Sequence, residues 1–209
     1  MRFNMYKIDN AKIAQHGLKN PDGLISIIRF TLLSIQQPLS SCDSMISDVE
    51  SVGLGSRFLN AGNHVTKRDG LTYAIAHKKQ LFRDLKAYAQ NGLDDVENIS
   101  NALYCVYQIP HIGMVKAGFI LQMLGFDVAC IDSHNLERLG WKQSQVSLAK
   151  GLKYETKIKK IKAYISMTQE KGTAYWWNSW CHYVAGNIGN RKLTTGQQVS
   201  QFHVRCVIR

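Results

Sequence analysis

The sequence predicts an all-α fold, and three observations carry that expectation. Apolar residues recur at three- and four-residue spacing along most of the chain, strand-like alternation is short and scattered, and the three prolines, Pro21, Pro38 and Pro110, fall between apolar-periodic segments. Residues 22–35 carry Leu24, Ile25, Ile27, Ile28, Leu32 and Leu33, a broad apolar surface broken by Arg29, as a helix buried on most sides requires. Residues 73–89 read as one helix, with Ala74, Leu81, Leu85 and Tyr88 inward and Lys78, Lys79, Arg83 and Lys86 on a basic outer face. Residues 154–169 repeat that scheme: Ile158, Ile161 and Ile165 lie among Lys157, Lys159, Lys160 and Lys162. Near the end, Trp176, Trp180 and Tyr183 fall on one helical stripe expected to pack in the core, with Trp177 off it. The final stretch, 193–208, has Thr194 or Thr195 as a helix cap and Val199, Phe202 and Cys206 on one face.

Composition narrows the function classes. A chain of 209 residues that is 45% hydrophobic can build a buried interior, which excludes wholesale disorder. The 26 Lys and Arg against 15 Asp and Glu leave a formal charge of +11 on a chain only 20% charged. A basic excess of that size fits a polyanionic partner. The longest apolar run, 117–126, is interrupted by Gln122 and is about half of what spans a bilayer, so no membrane partner is expected. The first ten residues lack the uncharged core of a signal peptide, and the expected location is cytoplasmic, either with the nucleoid or in the host cytoplasm of a viral protein. The five cysteines, Cys42, Cys105, Cys130, Cys181 and Cys206, stand tens of residues apart with no C-x-x-C pair, so reduced, packed thiols are expected.

The stretch 99–140 is the most informative. Ile99, Leu103 and Val106 mark a short amphipathic helix, which Pro110 ends. Gly113 is expected to let the chain turn sharply into a second helix, 114–124, stopped by Gly125. The first N–H groups of that helix have no partner inside it, and a helix N-terminus favours an anion such as a DNA phosphate. Such contacts hold nucleic acid without reading its sequence. Next comes Ile131-Asp132-Ser133-His134, just before a further helix, 135–139. Asp132 can cap that helix, or Ser133 can cap it and leave Asp132 free to face a cleft.

Ile109-Pro110-His111-Ile112-Gly113 followed by Ile131-Asp132-Ser133-His134 resembles the signature of the helix-hairpin-helix DNA glycosylase superfamily. That signature is a Leu-Pro-Gly-x-Gly hairpin, a helix, and a Val-Asp-Thr-His-like segment bearing the catalytic aspartate. Upstream, Leu32-Leu33-Ser34-Ile35-Gln36 matches the family's Leu-Leu-Ser-x-Gln at the end of an early helix. The resemblance implies two helical domains flanking a DNA-binding cleft: a central helical barrel, 23–131, holding the hairpin at about 99–124, and a second domain from 1–22 plus 132–209. It further implies a monomer on double-stranded DNA, with Gln36, His111, Ile112, Gly113, Val115 and Lys116 as DNA contacts and a monovalent cation as the hairpin's one candidate cofactor. Gln36 would fill the space left by a flipped nucleotide or touch its unpaired partner.

The implied activity is base excision without strand cleavage. Breaking an N-glycosidic bond builds positive charge on the deoxyribose, which a nearby carboxylate stabilises while orienting or deprotonating water. Asp132 is the catalytic candidate. Members that cut the strand place a lysine two residues after the second hairpin glycine, where this chain has Val115. Lys116 comes one residue later, turned by about 100° around a helix, so no efficient lyase step is expected. The family's four-cysteine iron–sulfur motif has no counterpart in Cys181 and Cys206 alone. His111 replaces the first hairpin glycine, and a positive φ there would suit it less well than glycine. His134 is an accessory candidate that would hydrogen-bond near Asp132 or brace its loop. Two other functions use the same residues. One is a glycosylase-fold enzyme that modifies thymine bases in hypermodified DNA, and the other is a DNA-binding module in which Asp132 is only a cap.

Overall fold

A computed structural model describes residues 10–35, 37, 39–60, 64–149, 151–186 and 195–208, and every structural statement below concerns these. Among them the only regular structure is helical. Gln36, Pro38 and Thr194 lie outside the described residues.

The helices in chain order are α1 (Asn10–Lys19), α2 (Pro21–Leu33), α3 (Leu39–Val52), α4 (Arg57–Asn60), α5 (Val65–Ala76), α6 (Lys78–Asn91), α7 (Val96–Tyr107), α8 (Met114–Met123), α9 (Ser133–Leu139), α10 (Tyr154–Gln169), α11 (Thr173–Gly186) and α12 (Gly196–Val207). The second starts where local chemistry dictates. Asn20 Oδ1 accepts from the Gly23 N–H at 2.9 Å, and Pro21 occupies the first helical position, where no N–H is needed. Because α2 is apolar on most sides, it packs against α1, α3, α5, α6, α8 and α12 and forms the centre of the molecule. A second set of contacts joins α7 to α6, α8 and α10, and a third joins α11 to α9, α10 and α12. Burying one aliphatic side chain contributes about 1.5–3 kcal/mol, so the core of Leu24, Ile27, Ile28, Leu103, Ile120 and Leu121 fixes these helices firmly.

Two corrections concern the helices. The single helix expected over 73–89 is broken at His77, which separates α5 from α6. The His77 imidazole Nδ1 lies 2.9 Å from the Tyr73 carbonyl oxygen, which the His77 N–H also reaches, and the ring stacks on Tyr73 at 4.1 Å. The backbone leaves helical geometry at His77, at φ −103° and ψ 11°, although the His77 N–H still reaches the Tyr73 carbonyl and the Leu81 N–H the His77 carbonyl, each at 3.0 Å. On α11 the expected stripe does not pack as one: Trp176 is buried, Trp180 half-buried, and Tyr183 is exposed, while Trp177 is buried. Trp177 turns inward because Phe119 and His203 supply a second aromatic surface beside α11.

The five cysteines form no disulfide and are largely enclosed. Burial pushes the thiols of Cys42 and Cys105 up to about 11 and that of Cys130 to about 12, so they stay protonated. No described helix is long and apolar enough to cross a membrane.

Candidate active site

The turn between α7 and α8 is tight because Ile109 and Ile112 are both buried and the Ile112 N–H reaches the Ile109 carbonyl at 3.1 Å. Pro110 sits against α5, where an added Cβ at Gly70 would come within 2.7 Å of the Pro110 carbonyl oxygen. That close approach is available only to glycine, and it fixes the turn against α5.

The turn's strain falls on a different residue from the one expected. His111 adopts φ 65°, the only described non-glycine residue with positive φ, whereas Gly113 has φ −82° and ψ 172°. The tight left-handed step is therefore made by His111, and Gly113 is an ordinary extended N-cap of α8. An L-residue in the left-handed region costs about 1–2 kcal/mol. His111 is exposed, with Nε2 3.8 Å from Asp69 Oδ2. Gly113 is exposed too, and a Cβ there would meet nothing within 4 Å. Neither its dihedrals nor its packing calls for glycine.

Beyond the turn, no described group accepts from the N–H groups of Gly113, Met114, Val115 and Lys116; the first α8 bond runs from Ala117 N–H to the Gly113 carbonyl. Ile112 is buried. Val115 is half-buried. Lys116 is half-buried as well, its ammonium 5.6 Å from the Phe119 ring centroid. Its charge acts on the thiols of Cys42 and Cys130.

The extended segment leading to Asp132 is clamped from two sides. The buried Tyr164 hydroxyl donates to the Ala129 carbonyl at 2.6 Å and accepts from the Ile131 N–H at 3.2 Å. Gln122 of α8, also buried, accepts from the Cys130 N–H and donates to the Thr173 carbonyl, each at 3.2 Å. At Gly118 a Cβ would lie 3.0 Å from the Ala129 carbonyl oxygen and 3.1 Å from the Tyr164 ring, so glycine lets this segment press directly on α8.

Asp132 caps α9, and Ser133 is its first helical residue; the alternative with Ser133 as cap does not hold. The cap uses one oxygen. Oδ1 accepts from the Asn135 N–H at 3.0 Å and from Asn135 Nδ2 at 3.1 Å. Asn135 is itself buried and braced, its Oδ1 accepting from Ser179 Oγ at 2.8 Å and Arg138 Nη2 at 3.3 Å. No described donor reaches Asp132 Oδ2, and the residue is only half-buried. Capping and an available carboxylate oxygen thus coexist. The charges of Asp132 and Lys116 both act on the Cys130 thiol, which places the α9 cap and the start of α8 in one neighbourhood. His134 makes no described hydrogen bond to Asp132. It stacks on Tyr183 at 3.7 Å with planes 16° apart.

Sequence reasoning missed Asn135, Ser179, Lys67 and His203. Asn135 had a signal, standing three residues after Asp132 where a polar side chain can reach back to a cap. Lys67 is buried on α5 and donates to the carbonyls of Leu33 (3.2 Å) and Ile35 (2.8 Å), closing the C-terminus of α2; burial pushes its pKa down. Nothing local to residue 67 announces that partner. His203 extends the buried face of α12, Val199, Cys206 and Val207, at four-residue spacing from Val199.

Among the described residues no group of His, Cys, Asp or Glu is arranged to hold a metal. Comparisons with protein-family models, with curated proteins and with solved structures find no match.

Proposed function

We propose that the protein is a monofunctional DNA N-glycosylase, which excises a damaged, mismatched or modified base after flipping it from the duplex. The observation that carries this reading is Asp132. Its carboxylate is fixed through Oδ1 by Asn135 and has Oδ2 without a described donor, beside the unpaired N–H groups that open α8. A carboxylate held this way stabilises the positive charge that grows on the sugar as the base leaves, and its open oxygen can orient the attacking water.

The start of α8 supplies the phosphate grip. Four consecutive N–H groups have no described acceptor, a Cβ at Gly113 would meet nothing within 4 Å, and the helix N-terminus adds its partial positive charge. In this reading α7, its turn and α8 form a helix-hairpin-helix, the two lobes 23–131 and 1–22 plus 132–209 flank the duplex, and basic residues of α6 and α10 face phosphates. Part of the basic surface is already paired, Lys162 with Glu97 and Lys78 with Asp22 at 2.7 Å. Lys79, Arg83, Lys86 and Lys159 are exposed. Lys116 stands beside the site as a cation for phosphate or for the transition state, and His111, Ile112 and Val115 contribute through the backbone of the turn.

The test is incubation with duplexes carrying uracil, hypoxanthine, alkylated purines, oxidised purines or 5-hydroxymethyluracil, read with and without alkali and with borohydride trapping. Strand breaks that need alkali are expected on at least one duplex. Asp132→Asn is expected to lower that rate at least about 100-fold with DNA binding retained. An absence of abasic sites across the panel, or an unchanged rate in the variant, refutes the proposal. Covalent trapping would assign Lys116 the nucleophile's role instead.

A further inference from the structure

A recess of about 380 Å³ lies on the flank of α10, lined by Tyr154, Glu155, Ile158, Lys159 and Lys162. These positions form one helical stripe, beside the buried face of Ile161, Tyr164 and Ile165 that packs into the molecule. The neighbouring helix is α7, which the recess follows at both ends. Tyr104 meets Tyr154 edge-on, with centroids 5.1 Å apart and planes at 82°, and Glu97 pairs with Lys162. Tyr107 stacks 6.3 Å from Tyr104, so ring surface continues along α7 to its last residue, where the turn to α8 begins.

Two features set this surface apart. Tyr154 leaves 50% of its area in solvent, although Tyr164 on the same helix is fully buried. Around it the charge is one-sided: residues 153–162 carry Lys153, Lys157, Lys159, Lys160 and Lys162 against Glu155. Lys159 is exposed, and no described acidic group pairs with it. An aromatic wall, an aliphatic floor at Ile158 and a cationic rim therefore meet in one hollow, whose volume falls at the small end of ligand sites.

We propose that this recess binds an unpaired nucleotide of a single-stranded nucleic acid, its base against Tyr154 and Ile158 and its phosphate held by Lys159 and Lys162. Each part of the lining then has a use. A base offers the flat face that an exposed tyrosine ring stacks on, and the phosphate supplies the charge that the lysines lack. Glu155 repels the phosphate and can accept from an exocyclic amino group, so the base edge points to its end of the stripe. A duplex keeps its bases stacked inside and has no face to present to Tyr154. An acidic peptide would satisfy the lysines and leave the ring bare, and a bilayer calls for apolar groups that stand proud rather than line a hollow. Occupancy of the recess requires no excision at Asp132.

The experiment is fluorescence anisotropy of the full chain with labelled dC12, beside a 12-mer of abasic spacers with the same charge, a blunt 12-base-pair duplex and phosphatidylserine vesicles. The dC12 strand should bind at least about tenfold tighter than the abasic strand. Tyr154→Leu should erase that preference and Tyr154→Phe should keep it, while the duplex affinity of Tyr154→Leu changes less than about twofold. Lys159→Gln, at an exposed position, should flatten the log–log salt dependence of dC12 binding by about 0.7, and serves if the leucine variant does not fold. Equal binding of the dC12 and abasic strands, a preference that survives in Tyr154→Leu, or an unchanged salt slope in Lys159→Gln overturns the proposal. Vesicle binding that depends on Tyr154 without any preference for dC12 assigns the surface to a membrane instead. Single-strand binding that behaves as expected in a protein forming no abasic sites strikes only the excision reading.

Discussion

Tyr164→Phe isolates the clamp that holds the segment before Asp132. The ring stays, and with it the contact against Gly118, so the loss is one hydroxyl with two bonds: the 2.6 Å bond to the Ala129 carbonyl and the 3.2 Å bond from the Ile131 N–H. Tyr164, Ala129 and Ile131 are all fully buried, so solvent does not replace the hydroxyl. Leaving a buried backbone group unpaired costs about 1–3 kcal/mol, and two such groups give about 2–6 kcal/mol. Against a total stability of about 5–15 kcal/mol that is a large fraction. With a urea m-value of about 2 kcal/mol per molar, the midpoint should fall by about 1–3 M at unchanged m. Circular dichroism and tryptophan fluorescence should give the same midpoint. Gln122→Leu removes the second clamp on the same segment, and the double variant should deviate from additivity by about 0.5 kcal/mol or more. A loss below about 0.5 kcal/mol in Tyr164→Phe would refute the clamp, because the two backbone groups would then have found other partners.

Three further perturbations test separate links. His203 takes a proton near 6.5 when unfolded and near 3 when folded, so the unfolded chain binds more protons across that window; stability is then full above about pH 6.5 and falls as pH drops toward 3. The slope from this residue approaches about 1.4 kcal/mol per pH unit, and urea midpoints should fall less steeply with acid in His203→Phe; parallel curves would contradict the burial argument. His111→Gly relieves a φ of 65° at an exposed turn whose ion pair with Asp69 is long, and should raise stability by about 0.5–1 kcal/mol in thermal melts once glycine's greater unfolded-state freedom is deducted. Gly113→Ala places a methyl group where nothing lies within 4 Å at a φ alanine accepts, so stability should hold within about 0.5 kcal/mol or rise. The same methyl group stands over the open N–H groups of α8, and duplex affinity measured by anisotropy should drop severalfold; unchanged affinity would remove the α8 N-terminus from the DNA interface.

Much of this protein was legible in its residues taken in order. Helical period placed α2, α7, α8, α10 and α12 closely, because each buries a stripe whose spacing is set by backbone geometry alone. Asp132 stood out for the same local reason, a carboxylate directly ahead of a helix start. The sequence could not show that His77 would interrupt a helix, since a histidine is compatible with either outcome until its ring finds the Tyr73 carbonyl. Nor could it divide the turn's strain between His111 and Gly113, because that depends on where α5 presses against Pro110. The same limit hid the residues brought in from afar. Asn135 meets Ser179 forty-four positions away, Lys67 closes the end of α2, and His203 sits among rings from α2, α8 and α11. Local order fixed which stretches coil and which side chains face inward, since both follow from spacing along one helix. Only the packing of distant helices decided which polar atoms were paired, which were left bare, and so where chemistry has room to occur.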